Sequence, residues 1–299
     1  MAYGIQSPNQ QRIESVSRTQ NKNQYDAFYF TDIHNLTNLT YQEGGVFTTQ
    51  GVGTLGFNTS ALQPMPLFWN SNYVNSQTKG SGVVQLSTQA GTNSTNHFSL
   101  NLGYNTASYN LLCGIQTPSS SSLVSKYEIE GSVYTPNSPF SSGTTTGGYY
   151  RCGFMDSPAN AIVRGLYFEY LQDGTTLDTT WFVTLKSLSN GSERTNTGVT
   201  VAINTIYRLY LSLEAFTGGT YTITYKIRAE DTSGNVTNTE GTITPTTNRV
   251  PTATTDTMSA TISIGRATNS TAAVRVLNVD YMGVRIRKPI SREILLGTL

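Results

Sequence analysis

The closest approach to catalytic chemistry in this chain is Glu128 with Glu130, two carboxylates at alternate positions of Tyr127-Glu128-Ile129-Glu130-Gly131-Ser132-Val133. Alternate side chains on a strand project from one face about 7 Å apart, within reach of the separation between paired carboxyl groups in sugar-hydrolysing sites. A hydrolase needs more than spacing, because one carboxyl must be desolvated enough to keep its proton near neutral pH. Tyr127, Ile129 and Val133 take the opposite, apolar face, so the glutamates read more simply as the solvated side of a half-buried strand.

Other constellations are poorer. His34 and His97 are the only histidines, both in polar, loop-like surroundings, and no Gly-x-Ser-x-Gly elbow accompanies them. A Gly-rich, Lys-terminated phosphate loop is absent. Asp173-Gly174-Thr175-Thr176-Leu177-Asp178 and Asp231-Thr232-Ser233-Gly234-Asn235 offer oxygen ligands without the length or closing glutamate of a calcium loop, and read as turns. Cys113 and Cys152 are too few for a disulfide framework and wrongly spaced for zinc; two separate buried thiols are expected, one bridge being the alternative. No metal and no cofactor is expected. Sugar binding without hydrolysis competes more strongly, since aromatic rings stack on pyranoses. Trp181 sits in Trp181-Phe182-Val183-Thr184-Leu185 and reads as core, which leaves Trp69, Glu128 and Glu130 as glycan-facing candidates.

The elements that position these residues are strands. Apolar and polar residues alternate in Tyr127 to Val133, in Tyr207-Arg208-Leu209-Tyr210-Leu211-Ser212-Leu213-Glu214 and in Tyr221-Thr222-Ile223-Thr224-Tyr225-Lys226-Ile227. A period of two puts every second side chain on one buried face. The same reading predicts strands from Val83 to Arg287, among them Tyr149 to Phe154, Gly165 to Tyr170, Trp181 to Ser187, Gly198 to Val201 and Met258 to Arg266. Between them stand turns that tolerate positive φ, such as Thr217-Gly218-Gly219. Antiparallel pairing follows.

Four stretches divide the chain. Residues 1–24, rich in Gln, Asn, Ser and Arg with scattered Ile5, Arg12, Ile13, Val16 and Arg18, read as a disordered tail or as an extended arm that becomes ordered on a neighbouring subunit. Residues 25–79 are dense in aromatics and glycine and predict a small β region or extra strands on the main sheet, closing in the polar linker Asn75 to Gly82. Residues 80–287 hold the strand series. Residues 288–299 leave the last strand at Pro289 and end in an apolar cluster, a closing element of the fold or a latch onto a neighbour.

Composition narrows the function. Charged residues are 12% of the 299, about half the ordinary share, and neutral hydrogen-bonding side chains fill the surface, which packs readily against protein or sugar. Nineteen Lys plus Arg against eighteen Asp plus Glu give a net charge of +1, so no broad field exists to hold a nucleic-acid backbone. No stretch reaches the length of a membrane helix, and the first residues lack the basic and apolar regions of a signal peptide.

From about Gly82 to Arg287 the chain resembles the concanavalin-A-like jelly-roll modules of tailed-bacteriophage structural proteins. The likeness is carried by Gly82-Val83-Val84-Gln85-Leu86-Ser87-Thr88, then Gly165-Leu166-Tyr167-Phe168-Glu169-Tyr170, then Thr195-Asn196-Thr197-Gly198-Val199-Thr200-Val201. It continues through Asn204-Thr205-Ile206-Tyr207-Arg208-Leu209 to Leu277-Asn278-Val279-Asp280-Tyr281-Met282. It implies an all-β, two-sheet antiparallel sandwich, no cofactor, a homo-oligomer of trimeric type, and a place on the virion surface after synthesis in the host cytoplasm. The Glu-x-Asp-x-Glu strand of the hydrolytic relatives is not matched, since Glu128-x-Glu130 continues with Ser132. The expected function is therefore non-enzymatic: a capsid-associated decoration, cement or head-fibre subunit, anchored by its arm on the major capsid protein or another virion protein. The alternatives are a tail-fibre subunit that recognises host surface glycans and, third, a surface glycanase.

Overall fold

The computed structural model describes residues 25–32, 39–42, 46–49, 68–70, 84–88, 95–100, 112–118, 124–136, 147–156, 162, 164–172, 176, 178–188, 190–253, 256–266 and 275–288. The arm with Ile5, Arg12, Ile13, Val16 and Arg18, the linker Asn75 to Gly82 and residues 289–299 lie outside the described residues.

Two antiparallel sheets form the sandwich, as expected for a concanavalin-A-like jelly roll. The seven-stranded sheet runs β1 (Tyr25–Asp32), β17 (Val276–Lys288), β8 (Ser125–Thr135), β13 (Thr205–Phe216), β14 (Thr220–Asp231) and β15 (Val236–Ile243), with β5 (Val84–Ser87) also on β17. The ten-stranded sheet runs β12 (Gly191–Thr200), β11 (Thr180–Ser187), β10 (Gly165–Gln172), β9 (Gly148–Met155), β16 (Thr257–Arg266), β6 (Thr95–Leu100), β4 (Phe68–Asn70), β3 (Val46–Thr49) and β2 (Leu39–Gln42), with β7 (Leu112–Cys113) also on β16. The strands of residues 25–70 thus pair directly onto the two sheets, β1 with β17 and β4 with β6. Among the described residues the one helical element is the 3-10 turn Thr247–Arg249.

Dyad alternation builds the core. Tyr207, Leu209, Leu211 and Leu213 of β13 are buried, while Arg208 between them is exposed. Facing them are Phe154 of β9, Leu166 and Phe168 of β10, and Ala260, Ile262 and Ile264 of β16. Trp181 is buried among these, its ring edge-on to Tyr207 at 5.7 Å and to Phe168 at 6.5 Å, so it is a core residue as its segment predicts. Each such large side chain contributes about 2 kcal/mol of burial. The β13–β14 hairpin closes on Gly218 and Gly219 at φ +83° and +76°, a conformation other residues rarely adopt.

Two expectations are settled by the packing. β12 runs Gly191–Thr200, longer than the predicted Gly198 to Val201, because its first six residues are polar and partly or fully exposed and carry no apolar alternation. Cys152 is a free thiol in the core, so it forms no bridge with Cys113, which stands on β7 opposite Thr257.

Candidate functional site

The outer face of the seven-stranded sheet carries Glu128 and Glu130. Their neighbours Tyr127, Ile129 and Val133 turn into the core, which fixes both glutamates on the opposite side of β8. Each is held by a different phenol. Tyr210 donates to Glu128 Oε1 at 2.5 Å, and Tyr281 donates to Glu130 Oε1 at 2.6 Å. Lys126 lies 3.3 Å from Glu128. Burial, and then the adjoining carboxylate, push the Tyr210 and Tyr281 hydroxyls well above the ordinary tyrosine range, so both phenols keep their protons.

Register lays this face out in rows across the strands. One row is Ser132, Arg208, Arg228 and Asn238; the next is Glu130, Tyr210, Lys226 and Glu240. All of these residues except Ser132 line an open depression of about 580 Å³, whose floor includes Ile227 and Thr239 of the intervening register position. Glu130 lines it and Glu128 does not, so the two carboxylates do not flank one site. Trp69 stands on β4 opposite Phe98, its side chain outside the described residues, as is all of His34; His97 is opposite Ser263 on β16.

The outer face of the ten-stranded sheet holds a charge network. Arg151 on β9 is directly opposite Glu169 on β10, with Nε 3.0 Å from Oε1 and both side chains about 5% exposed or less. Thr184 donates to Glu169 Oε2 at 3.2 Å. Arg194 Nε lies equally close to that oxygen; its contact is one of charge, since Nε makes no hydrogen bond. Arg194 also grips Asp178 through both terminal nitrogens, at 3.3 and 2.5 Å. Burial lifts the Asp178 carboxyl above its usual range against the lowering effect of Arg194, and the paired carboxylates hold the Arg194 charge in spite of that burial. The Arg151 guanidinium stacks 3.8 Å from the Tyr149 ring, and Tyr149 in turn lies over Gly265.

Sequence reasoning missed this network. Its trace is a charged residue at an outward position in each of two wholly apolar-looking strands, Tyr149-Arg151 and Tyr167-Glu169, but only the register of β9 on β10 joins them. The network suits structure better than proton transfer. Glu169 is locked by two arginines and a threonine, and burial, then Glu169, raises the Tyr167 phenol well above the ordinary range. The Asp231 loop is a turn as expected: Asp231 Oδ1 accepts from the backbone of Ser233 and Asn235, and these bonds with the Asn235 side chain lower its pKa. Among the described residues no group of three or more His, Cys, Asp or Glu is placed to hold a metal ion.

No protein-family model matches the chain. No curated protein matches it in sequence. Among solved structures it is similar to peanut lectin with a nine-residue peptide, at 8% identity over 88% of this chain and 97% of that one, with a TM-score of 0.45. It is similar also to lectin I of Ulex europaeus in complex with a methyl glycoside of α-L-fucose, at 11% identity over 89% and 99%, with a TM-score of 0.42. A third is the alginate lyase of Aplysia kurodai, at 13% identity over 70% and 85%, with a TM-score of 0.42. The sandwich itself stands on the strand order and register given above.

Proposed function

We propose that this chain is a non-enzymatic structural subunit of a tailed-phage virion, a decoration, cement or head-fibre protein made in the host cytoplasm and carried on the particle surface. In this reading residues 1–24 anchor it on the major capsid protein or another virion protein, the sandwich points outward, and copies associate as a homo-oligomer, a trimer by the type of protein. The observation that carries the non-enzymatic part is that the groups best placed for acid–base work are each held. Glu128 and Glu130 each accept from a different phenol, Tyr210 and Tyr281, and only Glu130 lines the depression. Glu169 is buried between Arg151 and Arg194. Tyr167 and Tyr210 have pKa values raised by burial, the wrong direction for a catalytic base. Residue types and order over 82–287 support the virion placement, as does a surface of neutral polar side chains suited to lying against protein.

The test is assembly. A chain lacking the first 24 residues is expected to fold, by circular dichroism, and to be absent from purified particles. Full occupancy by that chain would overturn the anchoring, and sustained turnover of any polysaccharide by the intact protein would overturn the non-enzymatic reading.

Recognition of host surface glycans is the second reading, favoured by one feature: the open depression on the seven-stranded sheet, which joins the Tyr210 ring to charged and amide side chains. Binding of the purified chain to a panel of cell-surface polysaccharides tests it, and failure to bind any of them would sink it.

A further inference from the structure

Arg208 and Arg228 stand directly opposite one another on β13 and β14. Like charges directly opposite one another on neighbouring strands are destabilising. The other charged groups lining the depression are engaged. Lys226 lies 3.2 Å from Glu240, Arg228 lies 3.2 Å from Glu230, and Glu130 accepts from Tyr281 at 2.6 Å. Arg208 makes neither a hydrogen bond nor an ion pair with any described residue, although its charge acts on the Tyr281 phenol. Both arginines are exposed, in a chain where only 12% of residues carry charge. Arg228 meets Glu230 through one terminal nitrogen only, so it and Arg208 can still present N–H donors to a planar carboxylate or a sulfate ester, and Asn238 beside them on the same face can pair with hydroxyls. The volume of about 580 Å³ lies inside the range of small-ligand sites, roughly 300–1,000 Å³, and suits one or two sugar rings.

We propose, resting on the glycan-recognition reading, that this depression binds an acidic saccharide, with the anionic group on the Arg208–Arg228 pair and a sugar ring beside Tyr210. The site lies on the outer face of the seven-stranded sheet, across the sandwich from the Arg151–Glu169 network.

The experiment is titration calorimetry of the full chain with hexagalacturonate, a sulfated hexasaccharide and neutral maltohexaose. Hexagalacturonate is expected to bind, at least about tenfold more weakly to Arg208→Ala and Arg228→Ala, and more weakly as salt is raised, while maltohexaose binds at least about tenfold more weakly to the parent chain. Because both side chains are exposed, the variants should keep the parent circular dichroism spectrum. Binding of the sulfated sugar in place of the uronate, lost in Arg208→Ala, also supports the site and assigns the anion to an ester. Binding of the neutral sugar as tightly as the acidic ones, or unchanged binding in both variants, overturns the acidic-sugar site while leaving glycan recognition standing. If none of the three binds but the polysaccharide panel scores, only the site falls; if both fail, the glycan reading falls with it.

Discussion

Arg151 and Glu169 face each other across β9 and β10 on the outer side of the ten-stranded sheet, 3.0 Å apart and almost wholly removed from water. A buried pair of this kind is costly to form and more costly to break, because the survivor is left as an uncompensated interior charge. Arg151→Met alone and Glu169→Met alone are each expected to lose about 3 to 5 kcal/mol in denaturant unfolding. The double variant Arg151→Met with Glu169→Met should recover much of that loss. Equal destabilisation by the double and the sum of the singles would mean that the two groups do not act as a pair.

The Tyr149 ring that carries Arg151 lies where a side chain on Gly265 would stand: a Cβ there would be 2.0 Å from Tyr149 Cζ. Gly265→Ala should therefore push the ring off the sheet and loosen the guanidinium stack, costing about 1 to 3 kcal/mol as overpacking does. In a Tyr149→Ala background the same substitution should cost less than about 1 kcal/mol, since the clashing atoms are gone. The double-mutant cycle reads the coupling directly.

What could be read in the amino acids alone follows the side-chain period. β13 and β14 were legible because Leu209, Leu211, Ile223 and Ile227 point inward between polar neighbours. β12 was legible only from Gly198 on, since Ser192 to Asn196 lie at the sheet's edge and bury no apolar stripe. Local alternation tells which face a residue takes; it does not tell which strand lies beside it. Glu128 and Glu130 were therefore placed on the outer face, while Arg208 beside Arg228, Arg151 beside Glu169, and the Tyr149 ring over Gly265 needed cross-strand register, a long-range property.

Alkali should unfold this protein cooperatively. Burial raises the hydroxyls of Tyr127 and Tyr170 to about 12, and those of Tyr150, Tyr167 and Tyr207 also upward. The folded chain then keeps protons that the unfolded chain releases near pH 10, so between about 10 and 12 the native state binds more protons and stability falls as pH rises. Tyr127, fully buried and accepting from the Gln116 backbone at 2.9 Å, contributes roughly 2 to 3 kcal/mol that is present below pH 10 and lost through that window. Beyond the gradual contribution of solvated tyrosines, phenolate absorbance should rise in a sharp step coincident with loss of the circular dichroism signal. Complete titration of all eighteen phenols near pH 10 with the fold intact would contradict the burial of these rings.

Cys152 offers a probe of the sandwich from within. Its side chain is about 1% exposed between the sheets, and burial, with a further contribution from Glu130, pushes the thiol up to about 12. Both effects protect it, because the reacting species is the thiolate and the reagent must reach it. In a Cys113→Ser chain, which leaves Cys152 as the sole thiol, modification at neutral pH should run more than about a thousandfold slower than in the denatured chain, as expected for a group exposed only on global opening. The rate should climb with denaturant along the unfolding curve measured by tryptophan fluorescence, to which Trp181 of the same core cluster contributes. Rapid labelling with no denaturant dependence would place the thiol outside the core and separate β9 from the packing of the two sheets.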